Sequence, residues 1–290
     1  MVAPALKRRV AGHLVETHGI SERRACQVVS LHRSSYRYQP RCRLSEEAYQ
    51  AIVAKSHRYA YWGYRKIYDL VVRDGVHVGR EHVRIVRRRE GLQVAQKTRK
   101  RRQVGHSTRS IATAAYPHHV WSYDFVFDAT EDGRTLKCLT VVDEFSRLGL
   151  QVGCRRGFTA REVILVLHDL IERWGAPDCI RSDNGGEFIA AAVQKWLRER
   201  RIGTHYIDPG SPWQNPYNES FNSILRTTCL NRWSFASLTE ARVVIKQWLE
   251  EYNTIRPHGS LGGRSPIRLL NDWNVENPKS NTVKIPKSLT

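Results

Sequence analysis

The chain has no run of 18 apolar residues, which excludes a helix built to span a membrane. Its opening stretch, Met1-Val-Ala-Pro-Ala-Leu-Lys-Arg-Arg-Val10, lacks the long apolar core of a secretory signal. The six cysteines, at 26, 42, 138, 154, 179 and 229, form no Cys-x-x-Cys pair. They read as reduced, mostly buried thiols of a cytosolic protein. Acidic residues are scarce: 28 against 47 lysines and arginines, a net charge of +19 over 290 residues.

That imbalance is local. Residues 1–112 carry 25 basic against 8 acidic side chains, and residues 113–290 carry 22 against 20. A nearly neutral C-terminal part is thus joined to a strongly basic N-terminal part, which predicts salt-dependent binding to phosphate backbones concentrated in the first third. A chain of this length also accommodates more than one domain.

The basic part reads as helical. Leu6, Val10 and Leu14 recur at helical spacing up to Gly19, Ser21 can cap a second helix, and Ser34 opens a short third one before Pro40. Helix, turn and short helix resemble a helix-turn-helix, with Arg33, Ser34, Ser35 and Arg37 as candidate DNA contacts. Ser45 caps a further helix. Tyr61-Trp-Gly-Tyr-Arg-Lys-Ile-Tyr68 leads into another, closed by Asp74-Gly75, and Arg80 to Glu90 forms a third ending at Gly91. Arg80, Arg84, Arg87 and Arg88 fall on one face of that segment and are candidate phosphate contacts. Lys97, Arg99, Lys100, Arg101 and Arg102 belong to a linker with little apolar content that can track a DNA backbone.

From about residue 113 the pattern changes to strands and helices. His119 to Phe127, Thr135 to Val142 and Leu148 to Cys154 read as strands, the first two joined at Asp132-Gly133. Thr159-Ala-Arg-Glu162 is a capping box opening a helix that Gly175-Ala-Pro177 ends. A short strand at Cys179-Ile-Arg181, a helix over 187–200 and a strand from Ile202 to Ile207 follow. Asn215-Pro216 supplies an N-cap and a favoured first helical residue.

Three carboxylates stand in defined settings on this frame. Asp124 lies in the strand Trp121-Ser-Tyr-Asp-Phe-Val-Phe127. Asp183 lies in the glycine turn Arg181-Ser-Asp-Asn-Gly-Gly-Glu-Phe188. Glu219 lies in Asn215-Pro-Tyr-Asn-Glu-Ser-Phe-Asn222, in the first turns of a helix, with 35 residues between it and Asp183. Convergent hard oxygen donors suit Mg²⁺ or Mn²⁺ and phosphodiester chemistry. Arg226, two turns after Glu219, either holds a phosphate of the DNA or is an exposed helix arginine. Asp143 and Glu187 are competing carboxylates and read as turn or supporting groups. Trp213, in the loop Asp208-Pro-Gly-Ser-Pro-Trp-Gln-Asn215, either stacks on a base or packs under its loop.

These motifs, with Leu139-Thr-Val-Val-Asp-Glu-Phe-Ser-Arg147 and Tyr252-Asn-Thr-Ile-Arg-Pro-His258, occur in the order found in a known family. The chain resembles the DDE (Asp-Asp-Glu) transposases of bacterial insertion sequences, specifically the second-reading-frame product of the IS-three family, from about Lys7 to Leu270. The resemblance implies an α/β, RNase H-like integrase core preceded by small all-α helix-turn-helix-like modules. The expected boundaries are 1–44 for the first module, 45–96 for the second, 97–112 for the linker, 113–272 for the core and 273–290 for a tail.

The resemblance further implies that Asp124, Asp183 and Glu219 are catalytic and bind two Mg²⁺ or Mn²⁺ ions per site, cutting and joining DNA during transposition. The implied partners are transposon ends and target DNA, a homo-oligomer on that DNA, and a first-reading-frame protein, in the bacterial cytoplasm near the nucleoid. Two other readings share these features: a non-catalytic DNA-binding partner of a longer two-frame transposase, and an RNase H-like nuclease. The adjacent His118-His119, with no cysteine pair, does not match the zinc module of retroviral-type integrases.

Overall fold

The computed structural model describes residues 4–37, 44–95, 113–182, 191–206, 215–278 and 285. The chain divides into two compact units, Met1–Gln50 and Ala51–Thr290.

In the first unit, α1 (Pro4–His18), α2 (Glu22–Val28) and α3 (Arg33–Arg37) pack on one another around Ala11, Ala25 and Cys26. Gly19, at φ 63°, turns the chain out of α1, and the Ser21 hydroxyl accepts from the Arg24 amide to start α2. An ion pair from Arg37 to Glu22 at 2.7 Å links α3 to α2. The next helix, α4 (Glu46–Arg58), capped by Ser45, crosses into the second unit.

The second unit is built on a five-stranded sheet in the order β3-β2-β1-β4-β5. Its strands are β1 (Val120–Ala129), β2 (Thr135–Asp143), β3 (Gly149–Arg155), β4 (Cys179–Ser182) and β5 (Gly203–Tyr206). The first three are antiparallel neighbours; β4 runs parallel to β1, and β5 parallel to β4. This order and these directions are those of the RNase H-like fold that the motif series implies.

Both faces of the sheet are covered, so the central strands are apolar almost throughout. Trp121, Tyr123, Leu139, Val141 and Ile180 face a core shared with α7 (Ala160–Trp174), α8 (Ala191–Glu199) and α11 (Pro266–Glu276). Val126, Leu136, Cys138, Val142 and Cys154 face a second core, shared with α9 (Pro216–Thr228) and α10 (Leu238–Thr254). The capping box is present: Thr159 and Glu162 cap α7 reciprocally, and Gly175 at φ 90° ends it.

The helices α5 (Tyr64–Arg73) and α6 (Arg80–Arg89) pack on each other within this same unit and are tied to its C-terminal segment. Tyr61 donates to Glu251 at 2.5 Å, Arg73 donates to the Ile255 carbonyl, and the Arg256 guanidinium lies over Trp62. The motif around His258 therefore forms this joint. His258 itself is buried against Tyr252, and desolvation drops its imidazole to about 3.

Candidate active site

The site begins where the sheet narrows. β4 pairs with β1 only from Val120 to Ser122, whereas β2 follows β1 from Trp121 to Ala129. Among the described residues, β1 from Tyr123 onward is therefore covered by a strand on one edge alone. Asp124 stands at the start of this uncovered stretch. On the parallel neighbour, Ser182 is the last residue of β4 and Asp183 is next in the chain. Asp183 itself lies outside the described residues, as do Glu187, Trp213, Lys97, Arg99, Lys100, Arg101 and Arg102.

Side-chain alternation turns Asp124 toward α9, and that helix holds it. Asn222 Nδ2 donates to Asp124 Oδ2 at 2.8 Å, and the Phe125 amide donates to Oδ1 at 2.7 Å. Thr140, the register partner of Asp124 on β2, places its hydroxyl 3.0 Å from the Asp124 carbonyl and 3.1 Å from the Asn218 amide group. A hydroxyl has one proton, so both contacts are satisfied together if Asn218 presents its NH₂ to Thr140. Asn218 and Asn222 stand one helical turn apart and face the same strip of sheet. This strip (Ser122, Asp124 and Thr140 with the two asparagines) is a polar inlay in an otherwise apolar helix–sheet interface.

Glu219 sits in the first turn of the same helix, between the two asparagines in sequence. Its side chain is exposed and has no hydrogen-bond or ion-pair partner among the described residues, and partial desolvation raises its pKa. Asn215 is the N-cap residue and Pro216 the first helical residue, as the sequence implies. The Asn215 side chain makes no capping hydrogen bond, however, although it is buried. One α-helix thus presents Glu219 and fixes Asp124.

The supporting carboxylates have separate work. Asp143 is buried, taking the His118 amide on one oxygen and the Ser146 amide and hydroxyl on the other. Glu144 is buried in an ion pair with Arg181 at 3.2 Å. Burial outweighs that arginine and pushes the Glu144 carboxyl up to about 7.

The candidate DNA contacts separate into classes. Arg33, Arg80, Arg84, Arg88 and Arg226 are exposed, as is Arg37 in its ion pair with Glu22. Arg80 lies over the Tyr68 ring, and Arg84 chelates Glu81 on its own helix. Arg226 donates to the Phe127 carbonyl at 2.9 Å. Arg87 departs from the expectation. It is 2% exposed and donates to the Trp62 carbonyl at 2.7 Å and twice to the Leu92 carbonyl, so it fastens α6 internally rather than facing a phosphate.

A groove of about 620 Å³ lies along β3 between α7 and α10. It borders the opposite side of the sheet from β4 and contains none of the three candidate carboxylates.

Sequence comparison places this geometry. Two models described as integrase core domain match residues 114–212 and 200–266. A 39.2 kDa protein of insertion element IS476 from Xanthomonas euvesicatoria is 34% identical over 95% of this chain and 80% of its own length. A 31.7 kDa protein of insertion element IS407 from Burkholderia multivorans is 37% identical over 87% of this chain and 91% of its own. The chain belongs to the integrase-core transposases of insertion sequences, of the IS3 type. Among solved structures, the magnesium complex of the HTLV-2 integrase catalytic core is similar to 53% of the transposase and 97% of its own chain, with a TM-score of 0.44 and 21% identity.

Sequence reasoning on the transposase reaches the carboxylates but passes over Thr140, Asn218 and Asn222. A signal for the asparagines exists: two amides at i and i+4 around a helix-borne glutamate, on a face otherwise made of Phe221, Ile224 and Leu225.

Proposed function

We propose that Asp124, Asp183 and Glu219 are the catalytic triad of the transposase and together hold two divalent ions, Mg²⁺ or Mn²⁺, for cleavage and strand transfer at transposon ends. The observation that carries this reading is the shared helix: α9 presents Glu219 while its Asn222 grips Asp124. The parallel strand beside β1 ends one residue before Asp183.

The donor set fits a hard cation. Asp124 and Glu219 offer carboxylate oxygens only. Each Asp124 oxygen accepts a hydrogen bond that fixes the group in one orientation and leaves lone-pair capacity for a ligand bond. Bound divalent ions supply Lewis-acid stabilisation of both the attacking and the leaving oxygen of a phosphodiester. The chain's own part is geometric: Asn222 and the Phe125 amide set the plane of the Asp124 carboxylate, and Thr140 with Asn218 keeps α9 in register with β1. The DNA is held by the basic N-terminal residues, with Arg226 bordering the site.

The test is cleavage and end-joining of DNA carrying the element's ends, in Mg²⁺ or Mn²⁺. Asp124→Asn, Asp183→Asn and Glu219→Gln should each lose more than about a hundredfold in rate while binding DNA within a few-fold of wild type. Undiminished cleavage by Asp183→Ala would overturn the assignment.

A further inference from the structure

The turn from β2 to β3 is cross-linked by its own side chains and meets the helix that carries Glu219. Asp143 closes β2, and one of its oxygens takes both the amide and the hydroxyl of Ser146. The Ser146 oxygen in turn takes the Leu148 amide at 3.2 Å, and the Asp143 amide donates to the Leu148 carbonyl at 2.9 Å. Arg147, enclosed by these bonds, stands at φ 63°. A residue with a Cβ adopts that left-handed conformation only at a cost, and glycine fits it better. The arginine side chain is in use: it donates to the Glu144 carbonyl, and its guanidinium carbon lies 3.9 Å from the centroid of the Tyr217 ring.

Tyr217 is the second residue of α9, two positions before Glu219. Successive helical residues are rotated by about 100°, so Glu219 projects about 200° away from Tyr217. Arg147 therefore bears on the back of the turn whose front presents the carboxylate. The start of α9 lacks a side-chain cap. Two polar contacts hold its first turn from outside the helix, among the described residues: Thr140 to Asn218, and Arg147 to Tyr217. One contact alone would leave the turn free to pivot. Two, on adjacent residues and from different elements, fix its rotation.

We propose that Arg147 is a positioning residue for Glu219, acting through the Tyr217 ring to fix the rotation of the first turn of α9. The proposal rests on the reading of Glu219 as a metal ligand. It gives a use to the motif that ends at Arg147, whose Asp143 and Ser146 build the turn that holds the arginine against α9. A cation over an aromatic face is attracted by the ring quadrupole, more strongly where water is partly excluded, and both side chains are half-buried.

The experiment uses the full chain and reads Mn²⁺ affinity by calorimetry, the Mg²⁺ concentration for half-maximal cleavage, and hydrogen exchange at the start of α9. Arg147→Gly removes the guanidinium and suits the left-handed backbone, so the turn itself is not strained. Tyr217→Leu removes the ring, and Tyr217→Phe keeps it. Arg147→Gly and Tyr217→Leu should each weaken Mn²⁺ binding and raise the Mg²⁺ requirement about tenfold. Both should speed exchange in the first turn of α9 about fivefold to tenfold. Tyr217→Phe should behave like wild type, and the double variant should be no worse than either single one, because both remove the same contact. Wild-type metal affinity and requirement in Arg147→Gly and Tyr217→Leu overturn the proposal even if exchange quickens, since the contact then only supports the helix. Glu219→Gln separates the two readings. If it loses metal affinity and Arg147→Gly does not, the positioning role alone falls. If Glu219→Gln binds Mn²⁺ and cleaves like wild type, the catalytic reading falls, and only the hold of Arg147 on the turn, read by exchange, survives.

Discussion

Asn222 is the residue whose removal best separates positioning from coordination. Its amide holds Asp124 Oδ2 across the helix–sheet interface without offering a charged oxygen of its own. Asn222→Ala should lower cleavage about tenfold to a hundredfold, less than loss of any triad member, and raise the Mg²⁺ concentration needed for half-maximal rate. A rate loss with no change in metal requirement would argue against a positioning role. Glu144 gives a second prediction, in pH. Its pKa in the folded chain, about 7, lies above the ordinary 4.5 because burial disfavours its charge. The native state therefore holds this proton more tightly than the unfolded one. The stability this contributes is complete below about pH 4.5 and is lost as pH rises through 7. Compared with Glu144→Gln, wild type should lose roughly 3 kcal/mol between pH 4.5 and 8. Urea denaturation of both proteins across that range checks the slope, and parallel curves would refute it. The constant offset from leaving Arg181 unpaired does not affect the comparison.

At the scale of elements, the edge strand β3 is held to α10 by Arg242, which donates to the Cys154 carbonyl at 2.9 Å, and by Asn253 at its other end. Asn253 takes the Gly149 amide at 2.9 Å and gives to the Gly149 carbonyl at 2.8 Å, closing a buried two-bond ring. Gly149 has no room for a side chain: an added Cβ would stand 2.6 Å from Leu249 and 2.8 Å from Phe221. Asn253→Ala leaves both backbone groups buried and unpaired and should destabilise the protein by about 2–4 kcal/mol in urea titration. Thr159→Ala, which removes only a helix cap, should cost about 1 kcal/mol. These two cases also mark what the sequence could reveal. The capping box, the strands and the turn at Gly175 are legible because each depends on residues within a few positions of one another. The Asn253–Gly149 ring joins residues 104 apart, and the Asn222–Asp124 bond residues 98 apart. Local spacing can place Asn222 on the apolar face of its helix, but it names neither asparagine's partner. Arg87 misleads for the same reason: helical spacing assigns it to an arginine face, but the carbonyls of Trp62 and Leu92 draw it inward. Asp124 and Glu219 are legible as candidates because their motifs are local, whereas the groups that orient Asp124 are not.

For the whole molecule, the uneven charge implies that affinity for DNA and chemistry on it can be altered separately. Residues 113–290 are almost neutral overall, whereas residues 1–112 carry most of the excess charge, so most of the phosphate neutralisation is expected from the first third. Replacing Lys97, Arg99, Lys100, Arg101 and Arg102 together by alanine removes five cations. If all five neutralise phosphates, the slope of log K against log salt should become shallower by about 4 to 5. Arg88→Ala alone should change it by about 1, with an unchanged melting temperature, because Arg88 is exposed. Arg87→Ala should do the reverse: an unchanged slope and a loss of about 2–4 kcal/mol in stability, since two carbonyls lose their donor. Fluorescence-anisotropy titrations between 50 and roughly 300 mM salt, a range in which a slope of this size is readily resolved, distinguish these outcomes. The five-residue variant should still cleave when low salt restores its binding, because no triad residue lies among the five. If it binds at low salt yet fails to cleave, the basic stretch takes part in assembling the active site, and affinity and chemistry are not separable in this chain.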